Sequence, residues 1–101
     1  NRPTAIFAAN DLTAVGAIEA IRKHELSIPD DISIIGFDDI PQAIITYPKL
    51  TTMRQSLEQM GRVAVQLLLE QIENPEQPVM HTTLETRLIE RESCRDISTD
   101  S

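Results

Sequence analysis

Aromatic residues are scarce in this chain of 101 residues, which contains two Phe, one Tyr and no Trp. Apolar residues still make up 41% of the sequence, so a core must be built from aliphatic side chains. That fraction is higher than a disordered segment carries. Because a chain of this length buries a modest core, the composition indicates one small globular domain.

Basic residues and long apolar runs are scarce as well. The 9 Lys and Arg residues face 16 Asp and Glu residues, which leaves a net charge of −7. Nucleic acid binding needs clustered Lys and Arg against phosphate, so these residues do not favour it. No apolar run approaches the roughly 20 residues that span a bilayer. Residues 1–4 lack the layout of a signal peptide, and we expect a cytoplasmic protein with no membrane partner.

Cysteine and histidine are too few and too far apart for most site chemistry. Cys94 is the single cysteine, so it cannot form an internal disulfide, which suits a reducing compartment. His24 and His81 have no partners at the spacing of a metal site. No nucleophile, base and oxyanion site can be assembled from the remaining residues. We therefore predict that the chain is not an enzyme and holds no metal and no cofactor.

Two apolar runs are typical of strands that are buried on both faces. The first is Ala5–Ala9 and the second is Ile32–Phe37, and polar or turn-forming residues follow each. Between them, residues 12–24 carry apolar side chains at three- and four-residue spacing, which predicts an amphipathic helix. Gly16 lies inside this helix, where close packing against a sheet would explain it. The order predicts a βαβ unit with two parallel strands.

The remainder of the chain predicts smaller elements around this unit. Residues 40–45 predict a short helix, whereas Leu50–Met53 is too short for a core strand and is interpreted as an extended connector. The alternation from Leu84 to Arg91 predicts an edge strand with one solvated face. The residues from Glu92 onward have no periodicity, and we expect a polar tail that frays.

A long amphipathic helix is predicted over residues 57–72. Ser56 and Gln59 have the spacing of a capping box, which marks its start. The other segments offer hardly any apolar surface on which this helix could pack. Either the chain dimerises extensively or the rest of its domain is missing from this chain, and we favour the second explanation.

Asp38 is the strongest candidate for a ligand contact. It follows the second strand, and ligands of open α/β sheets bind beyond the carboxyl ends of the strands. A carboxylate there makes strong hydrogen bonds with ligand hydroxyl or N–H groups. Capping of the following short helix is equally compatible with this position. Because two aspartates are adjacent, we assign Asp38 to the ligand and Asp39 to the cap.

Asn10 presents the same choice after the first strand. Its amide can donate and accept at once, which fits a polyol or a purine edge. Its alternative role is the cap of the first helix, which Asp11 could equally fill. Parallel strands end at one edge of a sheet, so Asn10 and Asp38 are expected to share that edge.

Five stretches resemble, in order and with fitting spacing, the LacI/GalR family of bacterial transcriptional repressors. They are Pro3–Asp11, Gly36–Ile40, Pro48–Thr52, Met60–Ala64 and Leu88–Ser93. That family joins an N-terminal helix-turn-helix head to an effector-binding core of two α/β subdomains, akin to periplasmic sugar-binding proteins. The resemblance implies an α/β fold class, with a parallel-sheet Rossmann-like subdomain of a periplasmic-binding-protein-like fold that is incomplete in this chain.

The resemblance also implies a division of the chain between two subdomains. Residues 1–49 would form the C-terminal effector subdomain, and residues 50–78 would hold the crossover and the helix of the N-terminal subdomain. Residues 79–95 would return as a strand to the C-terminal subdomain, and residues 96–101 would form a tail. Ser56 departs from the family, in which proline is frequent, but either residue starts a helix.

Site residues and partners follow from the same resemblance. Asn10 and Asp38 match the family's effector contacts, and the segment with Ala43 and Tyr47 matches a region of its dimer interface. The implied partners are a small-molecule effector, a mono- or disaccharide, and operator DNA bound through a head absent from this chain. A homodimer is implied as well. Effector binding would then be coupled to operator affinity.

Two other interpretations share parts of this architecture. One is a periplasmic sugar-binding protein for transport or chemotaxis. The other is a small flavodoxin-like enzyme or receiver-type domain that uses Asp38 and Asp39 around a metal. That arrangement would require a third acidic ligand, for which only Asp11 is available.

Overall fold

The computed structural model describes residues 2–98, and the chain divides into two compact units. The first unit is formed by Asn1–Arg54 together with Arg87–Ser101, and the second is Gln55–Thr86. Of the predicted tail over residues 96–101, residues 99–101 lie outside the described part. The chain therefore leaves the first unit after Arg54 and re-enters it at Arg87.

A sheet in the order β1-β2-β3-β4 forms the framework of the first unit. Its strands are β1 (Ala5–Phe7), β2 (Ser33–Asp38), β3 (Thr51–Arg54) and β4 (Arg87–Ile89). β1 and β3 both run parallel to β2, whereas β4 pairs with β3 in the antiparallel sense. The predicted α/β class and the parallel pairing of the first two strands are confirmed.

Helix α1 (Asp11–Lys23) covers this sheet with its apolar face. Its buried apolar residues meet those of the strands and loops in one aliphatic core, made of Ala8, Ala14, Ile18, Ile21, Ile32, Ile34, Ala43 and Leu50. No aromatic side chain belongs to this cluster of described residues, as the composition predicted. Gly16 is exposed, and no neighbouring atom of the described residues lies within 4 Å of the position that a Cβ would occupy, so the expectation of close packing there is wrong.

The third strand corrects the interpretation of Leu50–Met53 as a connector. Residues 51–54 pair with β2 on one side and with β4 on the other. Thr51 and Thr52 are buried, and both hydroxyls have partners, because Thr51 accepts from the Arg91 N–H and Thr52 donates to Asp11. A strand of four residues can therefore occupy the interior of the sheet, and the length argument failed because it ignored these side-chain partners.

The segment after β4 corrects the expectation of a fraying tail from Glu92. Ser93 is fully buried, and its hydroxyl donates to the Ile34 carbonyl at 2.5 Å and accepts from the Thr51 N–H at 2.8 Å. Its own carbonyl accepts from the Ile34 N–H at 2.9 Å. Ser93 thus continues the hydrogen bonding of β2 beyond the point where β3 begins. The predicted edge strand itself is confirmed, with the narrower bounds of β4.

The second unit contains helix α2 (Leu57–Glu73), close to its predicted bounds. The predicted cap is present, since the Ser56 hydroxyl accepts from the Gln59 N–H at 3.2 Å. None of its residues is buried, although many are large and apolar. The exposed ones are Leu57, Met60, Val65, Leu68, Leu69 and Ile72. Within residues 2–98, no helix is both long and apolar enough to cross a membrane.

Candidate functional site

Asn10 and Asp38 lie at one edge of the sheet, as the order of the elements predicted. Asp38 is the last residue of β2, and Asn10 follows the end of β1 and precedes α1. The two strands are parallel neighbours, with Ile6 opposite Ile34, so their carboxyl ends face the same way. This is the edge at which open α/β sheets bind their ligands.

Asn10 also caps helix α1, which was the alternative role considered for it. Its Oδ1 accepts a hydrogen bond from the Thr13 N–H at 2.8 Å, and its backbone is extended, as capping requires. This bond orients the amide, because it fixes which end of the side chain carries the oxygen. The Nδ2 group at the other end carries two N–H donors, so Asn10 can donate hydrogen bonds to a ligand.

The turn that begins at Asp38 has an uncommon backbone. Asp38 has a φ of 124° and Asp39 a φ of 60°, two successive residues in the region that favours glycine. Asparagine and aspartate enter the left-handed region more readily than other side chains, which suits Asp39. Such conformations cost free energy and persist only where the surroundings hold them. The turn must therefore be fixed by its neighbours.

The Asp39 side chain is one of the groups that hold this turn in place. Its assignment as a helix cap is wrong. The following 3-10 helix, Pro41–Ile44, is preceded by Ile40 and has no side-chain cap. The Asp39 carboxylate instead accepts from Arg91 at 2.6 Å and from Arg54 at 2.7 Å. Burial opposes its ionisation, but the hydrogen bonds and charges of the two arginines outweigh that effect and hold the pKa of Asp39 below its ordinary value.

Asp11 is the second residue that holds the turn after β2 in place. It is the first residue of α1 and is completely buried, yet both of its carboxylate oxygens are hydrogen-bonded. Oδ1 accepts from the Thr52 hydroxyl at 2.6 Å, and Oδ2 accepts from the Ile40 N–H at 2.9 Å. The carboxylate passes over Gly36 of β2, where an added Cβ would lie 2.2 Å from Oδ1. Asp11 therefore connects the start of α1 to β3 and to the turn after β2.

The same contacts occupy two of the three aspartates that the metal-dependent interpretation requires. Among residues 2–98, no group of three or more His, Cys, Asp and Glu side chains is arranged to hold a metal ion. Of the three aspartates considered, Asp11 is engaged by Thr52 and Ile40, and Asp39 is engaged by arginines. Their carboxylate oxygens accept hydrogen bonds from donors of the protein itself.

Ala43 and Tyr47 occupy different environments on the segment proposed for the dimer interface. Ala43 is fully buried in the core, and Tyr47 is 79% exposed. Ile44 and Ile45 beside them are also exposed. The exposed surface of this segment is therefore formed by Ile44, Ile45 and Tyr47, while the Ala43 side chain packs in the core.

Sequence comparison identifies the family of this chain. The profile of the periplasmic binding protein-like domain matches residues 1–94. A lactose operon repressor from Rhizobium radiobacter is 47% identical over 94 residues, which cover 93% of this chain and 82% of that protein. The chain belongs to the LacI/GalR family. It represents part of the family's effector-binding core, and its relatives are transcriptional regulators and not enzymes.

Other LacI-family relatives are much longer than this chain. The ribose operon repressor of Haemophilus influenzae is 43% identical over 93 residues, which cover 92% of this chain and only 28% of that protein. A LacI family transcriptional regulator from Enterococcus faecalis, whose structure contains bound ribose, superposes with a TM-score of 0.84 at 38% identity. The match covers 93% of this chain and 35% of that one. The chain thus spans between a quarter and about a third of these relatives.

The LacI-type core contains supporting residues that sequence reasoning missed. Asp11 was considered only as a cap or a metal ligand, and Arg91 and Ser93 were given no role. The signal for Asp11 was a glycine in the middle of a buried strand, because Gly36 marks a place where another group approaches closely. Arg91 and Ser93 had no comparable local signal, since their partners Asp39 and Ile34 are distant in sequence.

Proposed function

We propose that this LacI-family chain contributes to the effector site of a cytoplasmic transcriptional regulator, and that the effector is a mono- or disaccharide. One observation carries the proposal: Asn10 and Asp38 share the carboxyl edge of β1 and β2 in a LacI-type core. The proposed ligand contacts are these two residues.

The chemistry of the two side chains supports a sugar. A sugar hydroxyl both donates and accepts, so it can donate to the Asp38 carboxylate and accept from the Asn10 amide. Hydrogen bonds to an ionised group are the stronger kind, so Asp38 should contribute more affinity than Asn10. The bound ribose in the Enterococcus faecalis relative and the names of the ribose and lactose operon repressors favour this class of ligand.

Coupling to DNA would arise from differential affinity for two arrangements of the regulator. An effector shifts such an equilibrium only if it binds one state better than the other. Operator contacts would come from a helix-turn-helix head outside this chain. The net charge of −7 supports this division, because an acidic surface does not neutralise phosphates.

The second unit supports the proposed division of the core into two subdomains. Helix α2 has no buried residue, and its exposed apolar side chains include Leu57, Leu68 and Ile72. Contiguous exposed apolar surface on a soluble protein usually has a partner. We propose that α2 packs on the N-terminal subdomain, which the regulator would supply from outside this chain.

A homodimer is the proposed assembly of the regulator. The segment from Ala43 to Tyr47 would form part of the interface, with Tyr47 as the exposed aromatic contact and Ala43 as its buried support. Aromatic side chains are enriched at the energetically dominant positions of interfaces.

Calorimetric titration of the full-length regulator with ribose, lactose and other sugars tests the effector site. We expect Asp38→Ala to weaken binding of the recognised sugar at least ~10-fold, because it removes charge-assisted hydrogen bonds. Asp30→Ala is the matched control, since Asp30 is an exposed aspartate in the turn before β2. Unchanged affinity in Asp38→Ala would contradict the assignment of the contact, and failure of every sugar to bind would contradict the ligand class.

A further inference from the structure

We propose that Asp11 is a positioning residue of the effector site, whose buried carboxylate holds the turn that carries Asp38 in register with Asn10. The inference rests on the proposed function, since it takes Asn10 and Asp38 as the effector contacts. Asp11 itself is fully buried and would not touch the effector.

The position of Asp11 in the chain connects the two contacts. It directly follows Asn10, and its Oδ2 accepts from the N–H of Ile40, two residues after Asp38. The start of α1 and the turn after β2 are therefore joined by one hydrogen bond to a buried carboxylate. A shift of the turn relative to Asn10 would break that bond.

The turn needs this restraint because its backbone is unfavourable by itself. Asp38 and Asp39 both have positive φ angles, and neither is glycine. On one side of the turn, Arg91 and Arg54 hold the Asp39 carboxylate. On the other side, Asp11 holds the Ile40 N–H. The conformation that presents Asp38 is thus fixed from both directions.

The absence of a side chain at Gly36 makes room for the Asp11 carboxylate above the sheet. Gly36 leaves the space through which the carboxylate passes, since a Cβ there would approach Oδ1 to 2.2 Å. The Thr52 hydroxyl donates to Oδ1, while Oδ2 accepts from the Ile40 N–H. Because Thr52 and Ile40 make separate bonds to the two oxygens, their contributions can be tested separately.

Three variants of the full-length regulator separate positioning from general stability. Asp11→Ala removes the acceptor for Ile40, and we expect ribose affinity to fall ~10-fold through the displaced Asp38. Asp11→Asn can keep its carbonyl oxygen towards Ile40 and donate its amide to the Thr52 hydroxyl, so it should restore affinity to within ~3-fold. Thr52→Val leaves the Ile40 bond in place and should change affinity less than ~3-fold. Lactose replaces ribose as the probe if ribose does not bind.

A double variant shows whether Asp11 acts through Asp38. In the Asp38→Ala background, Asp11→Ala should cause no further loss of affinity, because the contact that Asp11 positions is already absent. Equal losses in both backgrounds would overturn the proposal. So would an Asp11→Ala protein that is less stable but binds the sugar as tightly as the natural protein.

Hydrogen exchange of residues 38–41 provides a test that needs no ligand. We expect exchange of the Ile40 amide to rise ~10-fold in Asp11→Ala and several-fold in Asp11→Asn, whose neutral acceptor is weaker, while Thr52→Val leaves it protected. Asp11→Asn carries this test if Asp11→Ala does not fold. Unchanged exchange at Ile40 in the Asp11 variants would overturn the proposal. If no sugar binds the natural protein, the effector assignment fails, and exchange alone decides whether Asp11 holds the turn.

Discussion

The guanidinium of Arg91 lies 2.6 Å from the carboxylate of Asp39, which joins the segment after β4 to the turn after β2. Both side chains are largely buried, with 14% and 9% of their surface exposed. Arg91 also donates to the Leu50 carbonyl at 2.9 Å. The pair therefore connects three segments that are distant in sequence.

The two arginines of Asp39 should differ in their contribution to stability. Arg91→Ala leaves the mostly buried carboxylate without its main partner and should lower the free energy of unfolding by about 3 kcal/mol. Arg54→Ala removes a guanidinium that is 50% exposed and should cost less than about 1 kcal/mol. Urea denaturation of both variants in the full-length regulator measures the difference. Equal losses would show that the burial of Arg91 has no energetic consequence.

The lowered pKa of Asp39 predicts a pH dependence of stability. The folded protein keeps this carboxylate ionised at a pH where the unfolded chain already binds a proton, so the ion pair stabilises the fold fully above the ordinary aspartate pKa. Its contribution should decline as the pH falls below about 4 and through the lower pKa of the folded state. The difference in unfolding free energy between the natural protein and Asp39→Asn should shrink over that range and stay constant near neutral pH. With Asp30→Asn as a control, the same trend in both variants would argue against Asp39 as its source.

Gly36 and Gly16 form a matched pair for a steric test. Gly36→Ala places a methyl group against the Asp11 carboxylate and should destabilise the protein by about 1–3 kcal/mol, with loss of the Ile40 hydrogen bond. Gly16→Ala meets no neighbour among residues 2–98 and should stabilise α1 by up to about 1 kcal/mol. Thermal denaturation distinguishes the two directions. A destabilising Gly16→Ala would reveal a neighbour supplied by another part of the regulator.

Ser93 should be the most sensitive serine of the described segment after β4. Ser93→Ala leaves the Ile34 carbonyl and the Thr51 N–H without their buried partner and should cost about 1–3 kcal/mol. Ser98 is exposed and bonds only locally with Asp96, so Ser98→Ala should change stability by less than about 0.5 kcal/mol. Chemical denaturation measures both, and a neutral Ser93→Ala would mean that water replaces the hydroxyl.

Tyr47 provides a test of the proposed dimer interface. Tyr47→Ser removes the exposed aromatic side chain and should weaken dimerisation of the full-length regulator at least ~10-fold in sedimentation experiments. Leu88→Ser is the control, because Leu88 is also an exposed apolar residue but lies in β4. If both substitutions weaken dimerisation equally, or if Tyr47→Ser has no effect on it, this segment is not part of the dimer interface.

The sequence predicted the elements whose signals are local. The apolar runs of β1 and β2, the periodicity of α1 and α2 and the cap at Ser56 each lie within a short window, and all are present. Hydrophobic periodicity predicted where these elements lie in the chain but not how deeply they are buried. β1 is not buried on both faces as predicted, because Ala5 and Phe7 are exposed, and α2 has no buried residue. The edge position of Asn10 and Asp38 followed from strand order alone.

The interior strand β3 and the roles of Asp11, Asp39 and Ser93 required contacts between distant residues. Leu50–Met53 has the composition of a strand but is too short to predict a core strand by itself, and the side-chain partners of Thr51 and Thr52 lie about forty positions away. The adjacent aspartates offered no local means of choosing between cap and ion pair. Only the return of the chain at β4 brings Arg91 to Asp39.

The pairing of β3 with β4 has a consequence for the chain as a whole. Arg54, where the chain leaves the first unit, lies opposite Arg87, where it returns. The thirty-odd residues between them are therefore an insertion whose two ends are neighbours on adjacent antiparallel strands. A two-residue turn such as Asn-Gly in their place would close a simple β-hairpin. The shortened protein would keep one continuous sheet with Asn10, Asp11 and Asp38 at its carboxyl edge, as a minimal scaffold for this part of the proposed effector site.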